Sequence, residues 1–298
     1  MKKFNSTTKK IILIISISIF GLLSANATKR ALVIGIGSYP QGSGFSKING
    51  DRDVPVVTDM LISLGFKKSD ITTLVNQNAT FENIQSAFKT LSNITESRDI
   101  IYIHFSGHGQ QITDLNGDEE DGLDEAWIPF DAQAMFKRGI YEGEHHITDD
   151  MLNEWLTSIN KKIGNNGNLI VIADACHSGD STRDIEDEDE QKKEITRGVF
   201  EDFIISVYNK LTDITKPKYS VDWINISACK SYQVNYEYSK ENVGSLTYAI
   251  FQNKDKLLTA PADEFIEYAQ ETIDQIIKHT QTLVLDGSEK SKQQILIH

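Results

Sequence analysis

One apolar run that ends in a cluster of reactive side chains constrains the fold more than any other feature. Five of the six residues at 169–174 are apolar, which is typical of a strand buried on both faces of a sheet. The chain continues as Ala-Cys-His-Ser-Gly, so Cys176 follows directly after this strand. Open α/β sheets bind ligands at the carboxyl ends of their strands. Cys176 is therefore either a small buried apolar residue or a reactive thiol at the edge of a sheet.

Strand and helix patterns alternate through the rest of the chain. Short apolar runs predict strands, and stripes of apolar residues at helical spacing predict helices. The predicted strands lie at 30–39, 71–75, 99–105, 222–227 and, as a final edge strand, 295–298. The predicted helices lie at 53–64, 80–91, 148–159, 245–252 and 261–278. This alternation predicts an α/β fold with a mostly parallel central sheet flanked by helices on both faces.

The first 27 residues have the pattern of an export signal. Four lysines precede a largely apolar stretch at 11–23, and Ala-Asn-Ala at 25–27 resembles a cleavage site. The apolar stretch is too short to span a bilayer comfortably. We therefore expect a cleaved signal peptide at 1–27, a secreted or periplasmic protein and no stable membrane anchor.

The charge balance limits the partners that such a protein can bind. Removal of residues 1–27, which contain four lysines and no acid, changes the net charge from −13 to −17. A surface this acidic repels nucleic acid and attracts basic peptides or metal cations. We expect basic peptide or protein substrates and no nucleic acid.

The two cysteines, Cys176 and Cys229, allow two interpretations. An exported protein favours a disulfide between them. The alternative is that Cys176 is a catalytic thiol, which needs a base or a lowered pKa because about 8.5 is its ordinary value.

Two histidines are candidates for that base. His177 adjoins Cys176, and neighbouring side chains on an extended segment point apart, so it is poorly placed. His108 lies between two glycines at the end of the strand predicted at 99–105. If the two strands are neighbours, His108 and Cys176 meet at one edge of the sheet. The amides of Gly109 and Cys176 can then stabilise an oxyanion.

Four motifs together resemble the caspase-like cysteine peptidases, clan CD and peptidase family C14. They are Ser-Gly-His-Gly at 106–109, the acidic run at 117–125, Asp-Ala-Cys-His-Ser-Gly at 174–179 and Ile-Ser-Ala-Cys-Lys at 226–230. The resemblance is greatest to the metacaspase and bacterial orthocaspase branch, and it covers about residues 30–260. It implies a caspase–hemoglobinase fold, with His108 and Cys176 as a catalytic dyad.

The resemblance also implies a p20-like catalytic region at 28–180 and a p10-like region at 199–298 that completes the same domain. The acidic segment between them, 181–198, is predicted to be a solvated linker. Since metacaspase-like enzymes cleave after Arg or Lys, we expect self-cleavage in this linker, at Lys193 or Arg197.

The same resemblance implies a pocket for basic side chains. Its aspartates match Asp174 and, less closely, Asp53, for which Asp51 is an alternative. A desolvated guanidinium or ammonium group needs such carboxylate partners. Asp53 could equally be the N-cap of the following helix. Ser227 and Cys229 match further positions near the pocket, and we interpret Cys229 as a wall residue.

The resemblance implies a calcium site but no obligatory cofactor. Acids that hold a cation in eukaryotic metacaspases match Asp124, Asp149 and Asp150. The fourth position falls on Arg183, with Asp180 and Asp184 as the acids beside it, and we assign it to Asp184. Oxygen ligands from separate loops suit Ca²⁺ better than Zn²⁺. Asp149 and Asp150 could instead stabilise the helix dipole. The loop at 114–119 is not an EF-hand, because Glu119 replaces the required glycine.

The resemblance therefore favours an exported cysteine endopeptidase that cleaves after Arg or Lys through a Cys-His dyad. A clostripain- or gingipain-like peptidase is an alternative within the enzymes. From a different class, the chain could be a catalytically silent caspase-like binding domain.

Overall fold

The computed structural model describes residues 27–119, 121–176, 194–199, 201–205 and 222–298. The expected signal peptide therefore lies almost entirely outside the described residues. The strands are β1 Lys29–Gly35, β2 Ile71–Val75, β3 Ile100–Ser106, β4 Gly109–Thr113, β5 Leu123–Trp127, β6 Ile147–Thr148, β7 Asn168–Asp174, β8 Ile224–Ser227, β9 Glu237–Tyr238, β10 Val243–Gly244 and β11 Val284–Asp286. The α-helices are α1 Gly50–Ser63, α2 Phe81–Ile94, α3 Asp149–Ile163, α4 Ser245–Gln252, α5 Ala262–Ile276 and α6 Glu289–Lys292.

Among the described residues, six strands form a central sheet in the order β11-β8-β7-β3-β1-β2. All neighbours are parallel except β11, which pairs antiparallel with β8. Residues of α1, α4 and α5 pack on one face, and residues of α2 and α3 pack on the other. The predicted α/β class, with a mostly parallel sheet flanked by helices, is confirmed.

The position of β7 in this sheet explains its continuous apolar sequence. Ile170 and Ile172 belong to the core on one face, whereas Leu169, Val171 and Ala173 belong to the core on the other. Because consecutive strand residues point to opposite faces, a strand covered on both sides needs apolar residues at every position.

Parallel register aligns the carboxyl ends of the middle strands. Gly35 at the end of β1 is paired with Ser106 at the end of β3, and Ser106 is paired with Asp174 at the end of β7. The segments that follow these strands therefore leave the sheet at the same edge. Beyond this edge, β4, β5 and β6 form a smaller antiparallel sheet with its own apolar core.

Three predicted details are wrong. Residues 295–298 do not form an edge strand: Leu296 and Ile297 are buried in the core, and Ile295 makes only an isolated bridge to Pro261. The edge strand is β11 instead. Asp53 is not a helix N-cap, because α1 begins at Gly50 and Asp53 lies in its first turn. Finally, α5 begins after the proline, not at it.

Within the described ranges, no helix is both long enough and apolar enough to cross a lipid bilayer.

The structure predicts that the centre of β7 contributes strongly to stability. Ile172 has no exposed surface, so Ile172→Ala should lower the free energy of unfolding by about 2–5 kcal/mol. Ile140 is 78% exposed, and Ile140→Ala should change it by less than about 0.5 kcal/mol. Urea unfolding in a Cys176→Ala background measures both changes. Equal midpoints for the two variants would contradict this account of the core.

Candidate active site

His108 and Cys176 lie at the same edge of the central sheet. Each stands two residues beyond a strand end, and those ends, Ser106 and Asp174, are paired in register. His177 lies outside the described residues. The structure therefore places the two predicted dyad residues just beyond the ends of neighbouring strands, which is the condition under which they can meet.

The imidazole of His108 is buried, and its orientation is fixed by backbone oxygens. Its Nε2 lies 2.9 Å from the carbonyl oxygen of Ser46, and its Nδ1 lies 3.2 Å from that of Arg197. Both oxygens can only accept, and a neutral ring can donate to just one of them, so we assign its proton to Nε2, which makes the shorter contact. Burial, followed by the Arg197 charge, lowers the pKa of His108 to about 4. With this assignment Nδ1 is the unprotonated ring nitrogen, and it lies on the side of the Arg197 carbonyl group.

The sulfur atoms of Cys176 and Cys229 are neighbours. Both lie close to the carbonyl oxygen of Gln233, at 3.0 Å and 3.3 Å, and both residues are thiols, not halves of a disulfide. A hydrogen bond with Cys176, and then burial, raises the pKa of Cys229 well above its ordinary value. Cys229 therefore stays protonated and forms a wall beside Cys176.

The guanidinium group of Arg197 is completely buried among three carboxylates. Its Nη2 lies 2.8 Å from Asp53 Oδ2 and 3.0 Å from Glu237 Oε1. Its Nη1 lies 3.3 Å from Asp174 Oδ1 and also donates to Ser106 Oγ. Its Nε donates to Glu237 Oε1 at 3.1 Å. Every guanidinium nitrogen thus has an anionic partner, which is the arrangement that a buried charge requires.

Further hydrogen bonds hold two of these carboxylates in place. Asp174 Oδ1 accepts from Asn235 Nδ2 at 2.8 Å, and its Oδ2 accepts from the backbone N–H and the hydroxyl of Thr247 at 2.8 Å and 2.7 Å. Asp53 Oδ1 accepts from the N–H of Gly244 at 2.9 Å. A Cβ atom at Gly244 would clash with the Asp174 carboxylate. Glycine is therefore required where the backbone approaches the pocket.

Glu237, the third carboxylate, is fixed by the residue that precedes α1. The backbone N–H of Asn49 donates to Glu237 Oε1 at 2.7 Å, and the side-chain amide of Asn49 donates to Oε2.

The pocket contains more negative than positive charge, and the pKa values of Asp53 and Asp174 are shifted in opposite directions. Burial, with the nearby Asp174 charge, outweighs Arg197 and raises the pKa of Asp53 to about 6. Burial alone would raise the pKa of Asp174 too, but the Arg197 charge and the neutral donors Asn235 and Thr247 hold it below its ordinary value. The three carboxylates raise the pKa of Arg197, so its charge is permanent.

The backbone around Arg197 lies between two segments of the protein. The N–H of Arg197 donates to Asn235 O at 3.0 Å, and the N–H of Glu237 donates to Ile195 O at 2.9 Å. On the other side, the N–H of Gly109 donates to Arg197 O at 3.2 Å. The carbonyl group of Arg197 therefore contacts the predicted oxyanion donor Gly109 and the predicted base His108.

The family model described as "Caspase domain" matches residues 28–296. The chain belongs to the caspase-domain family. Relatives include metacaspase-3 from Arabidopsis thaliana, 34% identical over 158 residues, and metacaspase-1 from Schizosaccharomyces pombe, 35% identical over 159 residues. Each alignment covers 51% of this chain, but only 40% and 34% of the respective relative. The chain thus matches less than half the length of these relatives.

Solved structures share the fold of this caspase domain. A protein from Geobacter sulfurreducens superposes with a TM-score of 0.61 at 19% identity and covers 90% of this chain and 97% of its own. Caspase-1 from Spodoptera frugiperda superposes with a TM-score of 0.55 at 10% identity and covers 88% and 86%. The fold is therefore caspase-like, and the predicted family resemblance is confirmed.

The caspase domain brings some predicted pocket residues to Arg197 and not others. Asp53 and Asp174 contact the guanidinium group, whereas the side chain of Asp51 accepts from Asn76 Nδ2 at 3.2 Å. Among the described contacts, Ser227 has Asn225 as its side-chain partner and none to Arg197. Lys193 lies outside the described residues.

Glu237 was not predicted. It follows an irregular polar stretch without periodicity, and no feature of the local sequence distinguishes it from an exposed glutamate.

A second group of acids lies on the loop before β5, within β5 and at the start of α3. Carboxylate oxygens of Asp114, Asp118 and Asp124 lie within 4.8 Å of one another. Within the part that the structure describes, Asp124 Oδ1 and Asp149 Oδ1 are buried without a hydrogen-bond partner. Burial, and then the neighbouring acids, raises the pKa of Asp124 to about 8 and that of Asp149 to about 7.

These residues fit a hard cation, because all their donor atoms are oxygens and two buried oxygens lack a partner. The three acids whose carboxylate oxygens lie within 4.8 Å of one another are nevertheless not the set of calcium ligands predicted from the sequence. Asp114 and Asp118 join Asp124, while Asp150 is linked to the loop through a hydrogen bond from Asn116. Burial, followed by the neighbouring acids, raises the pKa of Asp150 as well. Asp184 lies outside the described residues.

Proposed function

We propose that the chain is a cysteine endopeptidase that cleaves after arginine, and that its first substrate is its own Arg197–Gly198 bond. One observation carries this proposal. The guanidinium group of Arg197 fills a pocket of three buried carboxylates while its carbonyl oxygen accepts from the Gly109 amide beside His108. A basic side chain in a specificity pocket and a carbonyl group at an oxyanion donor are what an arginine-specific peptidase requires of a bound substrate.

The chemistry follows from these positions. The Cys176 thiol gives its proton to His108, and the thiolate attacks the carbonyl carbon of Arg197. The resulting oxyanion is stabilised by the amides of Gly109 and Cys176. The C–N bond then breaks, and the nitrogen of Gly198 leaves with the proton from His108. Water hydrolyses the thioester with His108 as base, which leaves a carboxylate on Arg197 and regenerates the thiol.

The pocket supports a preference for arginine over lysine. Acidic partners meet Nε, Nη1 and Nη2 of the guanidinium group. A lysine ammonium is a single point charge and cannot reach the same three positions. Lysine would leave a buried carboxylate without its ion pair, which is costly.

We also propose that calcium binds the acid group around Asp124. Asp114, Asp118 and Asp124 would hold the ion, and its charge would offset the burial and the repulsion by neighbouring acids that raise the pKa of Asp124. Asp149, with a second orphaned oxygen, is the nearest further candidate.

Export remains part of the proposal. It is supported by the lysine-rich start, the apolar stretch and the small-residue site at 25–27. The acidic surface of the chain supports basic peptides or proteins as substrates.

The first prediction concerns self-cleavage. The wild-type chain should yield two fragments, the second beginning at Gly198, as read by intact mass and N-terminal sequencing. Cys176→Ala and Arg197→Ala should each slow this cut at least a hundredfold, because one removes the nucleophile and the other the pocket ligand. Lys193→Ala, the matched basic residue in the same linker, should be cut normally. Fragments of the same mass from Cys176→Ala would show that another protease makes the cut.

The second prediction concerns arginine selectivity. Fluorogenic peptides ending in Arg should be cleaved with a higher kcat/KM than matched Lys peptides. Glu237→Gln should lower kcat/KM for Arg at least tenfold and for Lys less, since a hydrogen bond to a charged group is worth about 1.5–3 kcal/mol.

Glu241→Gln, an exposed change in the same region, is the control for this selectivity. Equal losses on Arg and Lys peptides would argue against the proposed role of Glu237. No turnover of any basic peptide, with or without calcium, would favour a catalytically silent binding domain.

The third prediction concerns calcium. Titration calorimetry with CaCl₂ on Cys176→Ala protein should detect binding, and Asp124→Asn should weaken it at least tenfold because that carboxylate is central to the group. Asp255→Asn, at an exposed acid elsewhere, should leave the affinity unchanged. Absence of binding at millimolar calcium would rule out this site.

A further inference from the structure

The segment that follows the Arg197–Gly198 bond is attached to β4 through backbone hydrogen bonds and two isolated bridges. The N–H of Phe203 donates to Gln111 O at 2.7 Å, and the N–H of Thr113 donates to Phe203 O at 3.1 Å. Parallel bridges join Gly198 to Gly109 and Phe203 to Ile112. The N–H of Ile205 donates to the hydroxyl of Thr113 at 2.9 Å. Backbone hydrogen bonds to the edge of a sheet are a common way of holding a peptide segment.

The side chain of Phe203 fills an aromatic pocket beside β4. It is 1% exposed, and its ring centroid lies 4.5 Å from that of His146, 5.7 Å from Tyr141 and 6.1 Å from Phe136. A Cβ atom at Gly143 would lie 3.1 Å from the Phe203 ring. The absence of a side chain at Gly143 therefore leaves room for the ring. The next residue, Ile204, is 54% exposed. The buried ring of Phe203 therefore anchors this segment to β4.

A hydrogen-bond network inside the pocket holds the backbone of the same segment. Gln110 Nε2 donates to Glu201 O at 2.7 Å, and Gln110 Oε1 accepts from His146 Nε2 at 3.0 Å. The hydroxyl of Tyr141 then donates to His146 Nδ1 at 2.9 Å. Because each buried polar group has a partner, the pocket combines a satisfied polar wall with an apolar space for a ring.

We propose that this aromatic subsite on β4 positions the Arg197–Gly198 bond for self-cleavage by holding Phe203, six residues beyond Arg197. The inference rests on the proposed function. The carboxylate pocket holds the chain on the amino side of the bond, and the subsite holds it on the carboxyl side. A chain that is held on both sides of the scissile bond loses less conformational entropy when that bond reaches the geometry of nucleophilic attack. Phe203 acts through the backbone and is a positioning residue, not a catalytic one.

Removal of the aromatic ring tests the subsite. The full chain is made by cell-free translation, and its cutting after Arg197 is followed by gel electrophoresis over time. Phe203→Ala should be cut at least tenfold more slowly than the wild type, and Phe203→Leu should recover part of the rate because it refills the apolar space. Ile204→Ala, the exposed neighbour, should be cut at the wild-type rate.

A second measurement separates positioning from damage to the fold. A fluorogenic Arg amide has no residues beyond the scissile bond and cannot reach the subsite. Phe203→Ala protein that has been fully cut by prolonged incubation should therefore cleave it with wild-type kcat and KM. Equal losses of self-cleavage and of amide cleavage would overturn the positioning role in favour of a structural one.

The subsite and the proposed function fail in different ways. Wild-type cutting at Arg197 with an unchanged rate in Phe203→Ala overturns the subsite alone. A wild-type chain that is not cut after Arg197 overturns both.

Discussion

The ion cluster around Arg197 is the interaction on which the rest of the active site depends. Its carboxylates come from distant parts of the chain: Asp53 from α1, Asp174 from the end of β7 and Glu237 from β9. Three buried negative charges cannot remain together in a dry pocket without a cation, because their desolvation and repulsion are too costly. The pocket must therefore hold a basic side chain or admit water. This requirement alone favours a group that never loses its charge, and the guanidinium group is that group.

The parallel sheet makes such a cluster possible. Its middle strands are apolar on both faces, and their carboxyl ends are aligned in register at Gly35, Ser106 and Asp174. The rigid strands bring groups from different segments to one edge, and the short segments beyond them carry His108 and Cys176. The reactive groups then need little further ordering, since the strands that position them are stabilised by the two apolar cores.

The sequence predicted those parts of the site that depend on the sheet. The strand pattern placed His108 and Cys176 beyond strand ends, and the resemblance to caspase-like peptidases implied that they form a dyad and that Asp174 belongs to the pocket. Glu237 follows an irregular stretch, and its burial depends on contacts with Asn49 and Arg197 that are 188 and 40 residues away in sequence. The acids around Asp124 could not be predicted for a similar reason. The sequence around Asp114 and Asp118 contains many acids, and only the fold determines which of them lie close to Asp124.

The contacts that present the Arg197–Gly198 bond also determine the consequences of its cleavage. The segment is held antiparallel at Asn235 and Glu237 on one side and parallel to β4 on the other. While the chain is intact, each attachment keeps the other at a high effective concentration. A cut between them removes that advantage and adds a carboxylate to Arg197, beside a pocket already rich in negative charge. The arginine would then leave more readily, so the cut that uses the pocket would also make it available to other substrates.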